Sequence, residues 1–289
     1  MGFGDMSAET LRAILGGVTV GDGLPVAIIG VLNVSPESFY AGSVHPDPDD
    51  LLRAADDMVA AGAAILDVGA RSTAPYLPTE ISEAEEADRL AAAIRRLADK
   101  CAVLLSADTS RATPARAALD AGAGIVNDVT GFHGDPAVAA LVAARGASVI
   151  LAADAAAATR AGGADPIETA SRVLAESLAE ARHAGVPDER IVLDPGIGFL
   201  RAGPRPWYER DAAVIARLDR LRVLGRPLCV GVSRKSFIGV LTGRAEPAKR
   251  LAGSLAAATV AVLRGAALIR AHDVAETRDA VRLAEALRA

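Results

Sequence analysis

Short apolar runs alternate with Ala-rich stretches of helical spacing along almost the whole chain, and this alternation limits the fold more than any other feature. The runs are Ala27–Val34, Ala64–Gly69, Val103–Asp108, Ile125–Val129, Ser148–Ala153, Ile191–Gly196, Leu228–Val232 and Leu268–Asp273. Each is nearly continuous in Val, Ile, Leu and Ala and does not alternate with polar residues. Strands of that kind are buried on both faces, as in a parallel sheet covered by helices. The helical stretches are read at 49–61, 82–99, 112–121, 135–145, 166–184, 207–223, 247–264 and 275–288. A quasi-repeat marks the joins: Ala61-Gly62-Ala63, Ala121-Gly122-Ala123, Arg145-Gly146-Ala147 and Arg264-Gly265-Ala266 each fall just before a strand. Glycine there ends a helix in the left-handed conformation before a short loop. Eight βα pairs without a linker or composition break predict a (β/α)8 TIM barrel. The competing fold, a doubly wound open sheet, should carry G-x-G-x-x-G in its first βα turn, and none is present. The chain is read as one domain, with residues 1–25 as an N-terminal helix start and hairpin and 26–289 as the barrel. Met1–Arg12 is read as the helix start, and the hairpin is placed at Gly17–Pro25, turning at Gly21-Asp22-Gly23.

Composition narrows the function. Aromatics are only 3% of the 289 residues, so aliphatic side chains must fill the core. With 31 basic against 36 acidic residues the net charge is −5, which lacks the electrostatic footprint of a nucleic-acid binder. Cys101 and Cys229 stand far apart in no metal spacing and read as reduced. No stretch is long enough for a membrane span, and a cytoplasmic location is expected.

In a barrel, chemistry sits at the C-terminal ends of the strands, and there the polar residues gather. Asn33, Asp67 and Asp108 end the first three strands, Asn127 and Asp128 the fourth and Asp194 the sixth. Ser233-Arg234-Lys235-Ser236 follows the seventh, the eighth carries Arg270, His272 and Asp273, and Asp154 follows the fifth. One such residue is explained by a helix cap or a loop tie. A ring of carboxylates and amides around one mouth predicts a pocket for a ligand rich in N–H donors. Lys235, Arg270 and His272, beside Asn33, give the pocket a basic edge in the quarter where barrels bind phosphate. The alternative pairs Lys235 and Arg270 with Asp194 or Asp108 in structural ion pairs. His45, His133 and His183 lack partners at ligand spacing.

These motifs resemble one family. Val31-Leu32-Asn33-Val34-Ser35-Pro36-Glu37-Ser38-Phe39 is similar to the opening signature of dihydropteroate synthases. Ile65-Leu66-Asp67-Val68-Gly69 with Ser72-Thr73, Ser106-Ala107-Asp108-Thr109 and Ile125-Val126-Asn127-Asp128 follow in family order. Leu193-Asp194-Pro195-Gly196-Ile197-Gly198-Phe199, Ser233-Arg234-Lys235-Ser236-Phe237-Ile238-Gly239 and Ile269-Arg270-Ala271-His272-Asp273-Val274 complete the series. The resemblance implies condensation of 6-hydroxymethyl-7,8-dihydropterin diphosphate with p-aminobenzoate, releasing pyrophosphate, in folate biosynthesis. It implies a pterin site of Asp67, Asp108, Asn127, Asp194, Lys235 and Phe199, and a diphosphate site of Asn33, Arg270 and His272. Mg²⁺ is the implied cofactor, held at Asn33. Thr73 and Ser236 match the arylamine side, which Phe199 also borders. Family members are usually homodimers, and Leu251, Leu255, Val260, Leu283 and Leu287 are candidates for such an interface.

The chain departs from the family in three loops. Ser72-Thr73-Ala74-Pro75 lacks the usual loop arginine, while Arg71 stands where an acid is usual. Ala152-Ala153-Asp154 replaces Met-His-Met, and Leu200-Arg201 replaces Gly-Lys. Arg71 is therefore assigned to the arylamine, against the plainer expectation that it pairs with Glu80 or Glu83. The altered loops leave other readings open: a relative using a larger arylamine in methanopterin-type synthesis, a catalytically silent pterin-binding paralogue, or a pterin-dependent methyltransferase domain.

Overall fold

The chain enters the fold through a pair of adjacent glycines. In a computed structural model, which describes residues 10–35, 47–72, 81–201 and 203–288, β1 (Arg12–Leu15) and β2 (Val18–Gly21) form an antiparallel hairpin with Leu15 opposite Val18. Gly16 and Gly17 make its two-residue turn, with φ of 52° and 104°, and only glycine holds both at little steric cost. The hairpin is present as expected, but its turn is not at Gly21-Asp22-Gly23. The period-two pattern of Ala13, Leu15 and Val20 starts earlier and decides the register. Asp22 instead ties the hairpin's open end: its Oδ2 accepts from Leu11 N at 2.9 Å, and both carboxylate oxygens accept from Arg222 at 3.0 and 2.8 Å. The expected helix start overlaps β1 at Arg12, where extended backbone is found; residues 1–9 lie outside the described residues.

Eight parallel strands close into a barrel: β3 (Ala27–Asn33), β4 (Ile65–Gly69), β5 (Leu104–Asp108), β6 (Ile125–Asp128), β7 (Ser148–Ala152), β8 (Ile191–Asp194), β9 (Leu228–Gly231) and β10 (Ala266–Ala271), with β10 pairing β3. The TIM barrel read from the sequence is therefore the observed architecture. Ile29, Ile65, Ile125, Ile150, Val192, Cys229 and Leu268 fill the barrel, and Ala13, Leu15 and Val20 of the hairpin pack against them. The hairpin thus plugs the N-terminal end. Each fully buried Leu or Ile here stabilises the fold by about 1.5–3 kcal/mol.

The helices are α1 (Pro48–Ala60), α2 (Glu83–Lys100), α3 (Ala112–Asp120), α4 (Ala137–Arg145), α5 (Ala155–Ala161), α6 (Pro166–His183), α7 (Trp207–Ala216), α8 (Ser236–Thr242), α9 (Leu251–Leu263) and α10 (Val274–Arg288). Asp47, Ser82 and Asp165 cap α1, α2 and α6 through their side chains. The glycines of the quasi-repeat, Gly62, Gly122, Gly146 and Gly265, all have positive φ. The expected helix over 207–223 is broken: α7 ends at Ala216, and Leu218–Leu224 continues as a 3₁₀ segment that buries Leu218 and Leu221. The expected helix over 247–264 likewise opens with a 3₁₀ turn, Pro247–Arg250. Inside the first turn of α7 the Arg210 side chain is 1% exposed, and its Nε and Nη1 have no hydrogen-bond partner. Among the described residues no helix is long and apolar enough to cross a membrane, and Cys101 and Cys229 form no disulfide.

Candidate active site

Four polar residues at the mouth follow an interior apolar residue by two positions: Asp67 after Ile65, Asn127 after Ile125, Asp194 after Val192 and Arg270 after Leu268. Side chains two apart on a strand share a face, so the strands that fill the barrel also aim these groups at its axis. Register sets their neighbours. Asn33 lies opposite Gly69 across β3 and β4, and Gly69 lies opposite Asp108 across β4 and β5.

Asp67 is the centre of the cluster and is fully buried. Its Oδ2 accepts from Asn127 Nδ2 at 2.9 Å and from Arg270 Nε at 2.6 Å. Arg270 Nη2 donates to Asp108 Oδ2 at 2.7 Å. Asp67 Oδ1 and Asp108 Oδ1 are buried without a hydrogen-bond partner among the described residues. Burial raises the Asp108 pKa, Arg270 opposes the rise, and the Asp67 charge adds to it. Burial works to lower the pKa of Arg270, but the two carboxylates outweigh it and hold the guanidinium charged. The pairing of Arg270 with Asp108, which the sequence left as an alternative to a phosphate role, is thus present, with Asp67 as a second partner.

Asp194 accepts from Gly196 N at 2.7 Å, and burial raises its pKa against the pull of Lys235 and Arg270. Lys235 donates from Nζ to the Ile197 carbonyl and stands 4.9 Å from the centroid of the Phe199 ring. Loss of water lowers its pKa, with Asp194 and Asp211 working against that. His272 bonds through Nδ1 to Ser233 Oγ at 2.8 Å. Burial, then Arg270, Arg234 and Lys235, push its pKa down to about 3, so the ring is neutral near pH 7. A methyl group on Gly69 would lie 3.1 Å from Asn33 Oδ1, so the absence of a side chain there leaves room around that oxygen. Among the described residues no group of three or more His, Cys, Asp or Glu is gathered for a metal. A Mg²⁺ ion held largely by substrate phosphates needs only one or two protein oxygens, and Asn33 Oδ1 fits that requirement.

The remaining rim residues are held by neighbours within the fold. Asp128 closes its own turn, accepting from Thr130 N, Thr130 Oγ1 and Phe132 N. Asp154 caps α5. Asp273 takes both ends of Arg234, at 2.8 and 2.6 Å, and Arg234 also donates to the Pro247 and Ala248 carbonyls. Arg71 Nε is 3.1 Å from Glu86 Oε2, and its Nη2 is 3.5 Å from Ser110 Oγ. Its partner is therefore Glu86, not the expected Glu83; Glu80 lies outside the described residues, as do Thr73 and residues 36–39 of the opening motif. Glu86 is 1% exposed, and it also holds Thr109 Oγ1 at 2.6 Å and Arg111 at 3.1 Å.

Sequence reasoning passed over three neighbours of the site. Ser233 orients His272. Asp211 holds the loop before Phe199, accepting from Gly198 N at 2.9 Å, and burial lifts its pKa to about 6. Arg201 stacks on Trp207, 4.2 Å from the ring centroid, and reaches Ser236 Oγ at 3.2 Å. The Leu200-Arg201 departure was the available signal for Arg201, and the Ser233-Arg234-Lys235-Ser236 run for Ser233; nothing local marks Asp211.

The chain matches the family described as pterin binding enzyme over residues 29–272. It is 36% identical over 269 residues to the dihydropteroate synthase of Escherichia coli K12, covering 90% of each chain. It is 40% identical over 266 residues to the probable bifunctional folylpolyglutamate synthase/dihydropteroate synthase of Haloferax volcanii, where the match takes in 91% of this chain but only 30% of that protein. The fold superposes on Xanthomonas albilineans dihydropteroate synthase with 4-aminobenzoic acid at a TM-score of 0.85, with 35% identity and coverage of 97% of this chain and 99% of the other.

Proposed function

From its membership of the dihydropteroate synthase family of pterin-binding enzymes, we propose that this chain joins 6-hydroxymethyl-7,8-dihydropterin diphosphate to p-aminobenzoate in folate biosynthesis. The products are 7,8-dihydropteroate and pyrophosphate. The observation that carries the reading is the buried acidic floor, where Asp67 Oδ1 and Asp108 Oδ1 have no protein donor. Buried carboxylate oxygens call for donors, and the pyrimidine edge of a pterin supplies N–H groups in that arrangement. Asn127 and Asp194 complete the floor, and Lys235 with Phe199 covers the side towards the second substrate.

The arylamine nitrogen forms a bond to the pterin methylene carbon while the bond from that carbon to the diphosphate oxygen breaks. The electron pair leaves with pyrophosphate, and the amine gives up one proton. Positive charge developing on the pterin is stabilised by carboxylates already oriented towards it. Arg270, neutral His272 and Asn33 face the leaving group. Asn33 and the substrate phosphates would hold Mg²⁺, which would supply charge neutralisation there. Arg71, ion-paired with Glu86 just after β4, stands on the arylamine side. A homodimer would use the apolar surface of α9 and α10, where Val260, Leu283 and Leu287 are exposed, and the protein works in the cytoplasm.

Pyrophosphate release from the pterin diphosphate, measured with p-aminobenzoate and a panel of larger arylamines, tests the reading. Release with p-aminobenzoate upholds it. Release only with a larger arylamine redirects it to methanopterin-type synthesis, and pterin binding without release rejects catalysis.

A further inference from the structure

We infer that Arg210 anchors an anion site apart from the barrel mouth, a cleft between the segment after α5 and the start of α7 that takes one phosphate-type oxyanion. The cleft has a volume of about 290 Å³, is lined by Ala158, Thr159, Gly162, Gly163, Gly203 and Arg210 among others, and shares no residue with the strand-end site. Arg210 is 1% exposed, and its Nε and Nη1 have no hydrogen-bond partner among the described residues. A buried charge without a partner is costly. The neighbouring acids do not relieve it. Asp165 accepts from Arg217 at both carboxylate oxygens, each at 2.7 Å. Asp211 is the next residue along α7, and consecutive side chains on a helix do not face each other. Its Oδ1 accepts from Gly198 N, while its Oδ2 is itself buried without a partner. Both acids act on Arg210 as charges, yet loss of water still holds its pKa below the usual arginine value. Water in the cleft accepts from a guanidinium but cannot neutralise it. An oxyanion does both, because two N–H groups of the fork match two phosphate oxygens.

Glycines keep the walls of the cleft bare. Gly162 and Gly163 follow one another with φ of 62° and 118°, backbone that other residues adopt only at a steric cost. A methyl group on Gly162 would meet nothing within 4 Å. Gly203, with φ of 139°, approaches the cation so closely that a methyl group there would overlap Arg210 Nη1. The chain thus wraps the guanidinium tightly at Gly203 and leaves the space beside it unfilled. Local charge agrees in sign: the Asp165–Arg217 pair is neutral as a unit, and Arg205 adds a positive charge beside it.

Thermal unfolding with and without inorganic phosphate, at constant ionic strength in chloride, tests the site. Wild type is followed alongside Arg270→Met, in which the barrel mouth has lost its guanidinium and the cleft is isolated. For a Kd of about 1 mM, about 10 mM phosphate should raise the melting temperature by about 3 °C in Arg270→Met and by at least as much in wild type. Adding Arg210→Met to Arg270→Met removes the anchoring cation. Adding Thr159→Glu instead keeps the cation and places a carboxylate on the exposed part of the lining. Either addition should cut the phosphate-dependent rise to below about 1 °C. If Arg210→Met alters the fold, Thr159→Glu decides alone. Repeating the titration with glycerol 3-phosphate tells a free anion from the end of a phosphomonoester, and a rise with either that both substitutions abolish upholds the site. A rise that survives both substitutions overturns the assignment, as does one confined to wild type and absent from Arg270→Met, since the phosphate then binds at the barrel mouth. No rise in wild type overturns it outright.

Discussion

Arg270→Met removes the cation that separates two buried carboxylates. In the native protein Arg270 lies 2.6 Å from Asp67 Oδ2 and 2.7 Å from Asp108 Oδ2, and the two acids are 0% and 10% exposed at their side chains. Methionine fills similar space and donates nothing, so Asp67 keeps Asn127 as its donor and Asp108 loses its guanidinium. Breaking a buried pair on one side costs about 3–5 kcal/mol. At about 2 °C per kcal/mol for a chain of this size, the melting temperature should fall by about 6–10 °C near pH 8. The pH dependence is the sharper part. Asp108 already has a folded pKa above its unfolded value. The folded protein therefore holds a proton that the unfolded chain releases, and stability is lost as the pH rises from the unfolded towards the folded pKa. Without Arg270 the folded pKa climbs further, and each added unit widens the deficit by about 1.4 kcal/mol at alkaline pH. The gap between variant and wild type should therefore be narrow at pH 5 and widest at pH 8. Thermal unfolding followed by circular dichroism across that range reads it directly. A melting temperature within about 2 °C of wild type at pH 8, or a loss independent of pH, would refute the reasoning. Adding Asp108→Asn to the variant should restore most of the loss, because it removes one of the two facing charges.

Asp194→Ala should weaken pterin binding by about 2–4 kcal/mol, since ring N–H donors would be left in a buried site without an acceptor; near-native affinity by calorimetry would exclude Asp194 from the pterin floor. Arg210→Met should stabilise the protein by about 1–3 kcal/mol, because two buried guanidinium nitrogens that find no partner disappear. A lowered melting temperature would show that the charge facing Asp211 outweighs the desolvation of Arg210.

The barrel was readable because its signals are local. Continuous apolar strands, and glycines such as Gly62 and Gly146 at the helix ends, hold their meaning whatever surrounds them. The spacing of two between Ile65 and Asp67, or Leu268 and Arg270, places each acid or base once the strand is known. Other features depend on partners distant in sequence. Helix α8 has seven residues, too few for a period to show, and α5 lies in an alanine run with no apolar–polar alternation to read, though it buries Ala157 and Ala158. The 3₁₀ continuation after Ala216 is decided by the burial of Leu218 and Leu221, a tertiary effect. Arg71 was assigned to the arylamine, with pairing along its own loop as the alternative. It bonds instead to Glu86, already held by Thr109 and Arg111, and no spacing in the sequence reveals that hub.

The hairpin that plugs the barrel has a consequence for the order of assembly. Its backbone bonds to Ser148 at both Gly16 N and Ile14 O, and Arg226 donates to the Arg12 carbonyl at 2.8 Å. Asp22 accepts from Arg222, 200 residues away, and Val26 N donates to Glu285, 259 away. A ribosome makes the plug well before its anchors, so Leu15 and Val20 lack most of their docking partners until the rest of the barrel is made. Contacts of such separation slow folding, and the exposed apolar strands in the interim favour association with other chains. Moving the hairpin to the C-terminus by circular permutation would let it meet a finished barrel.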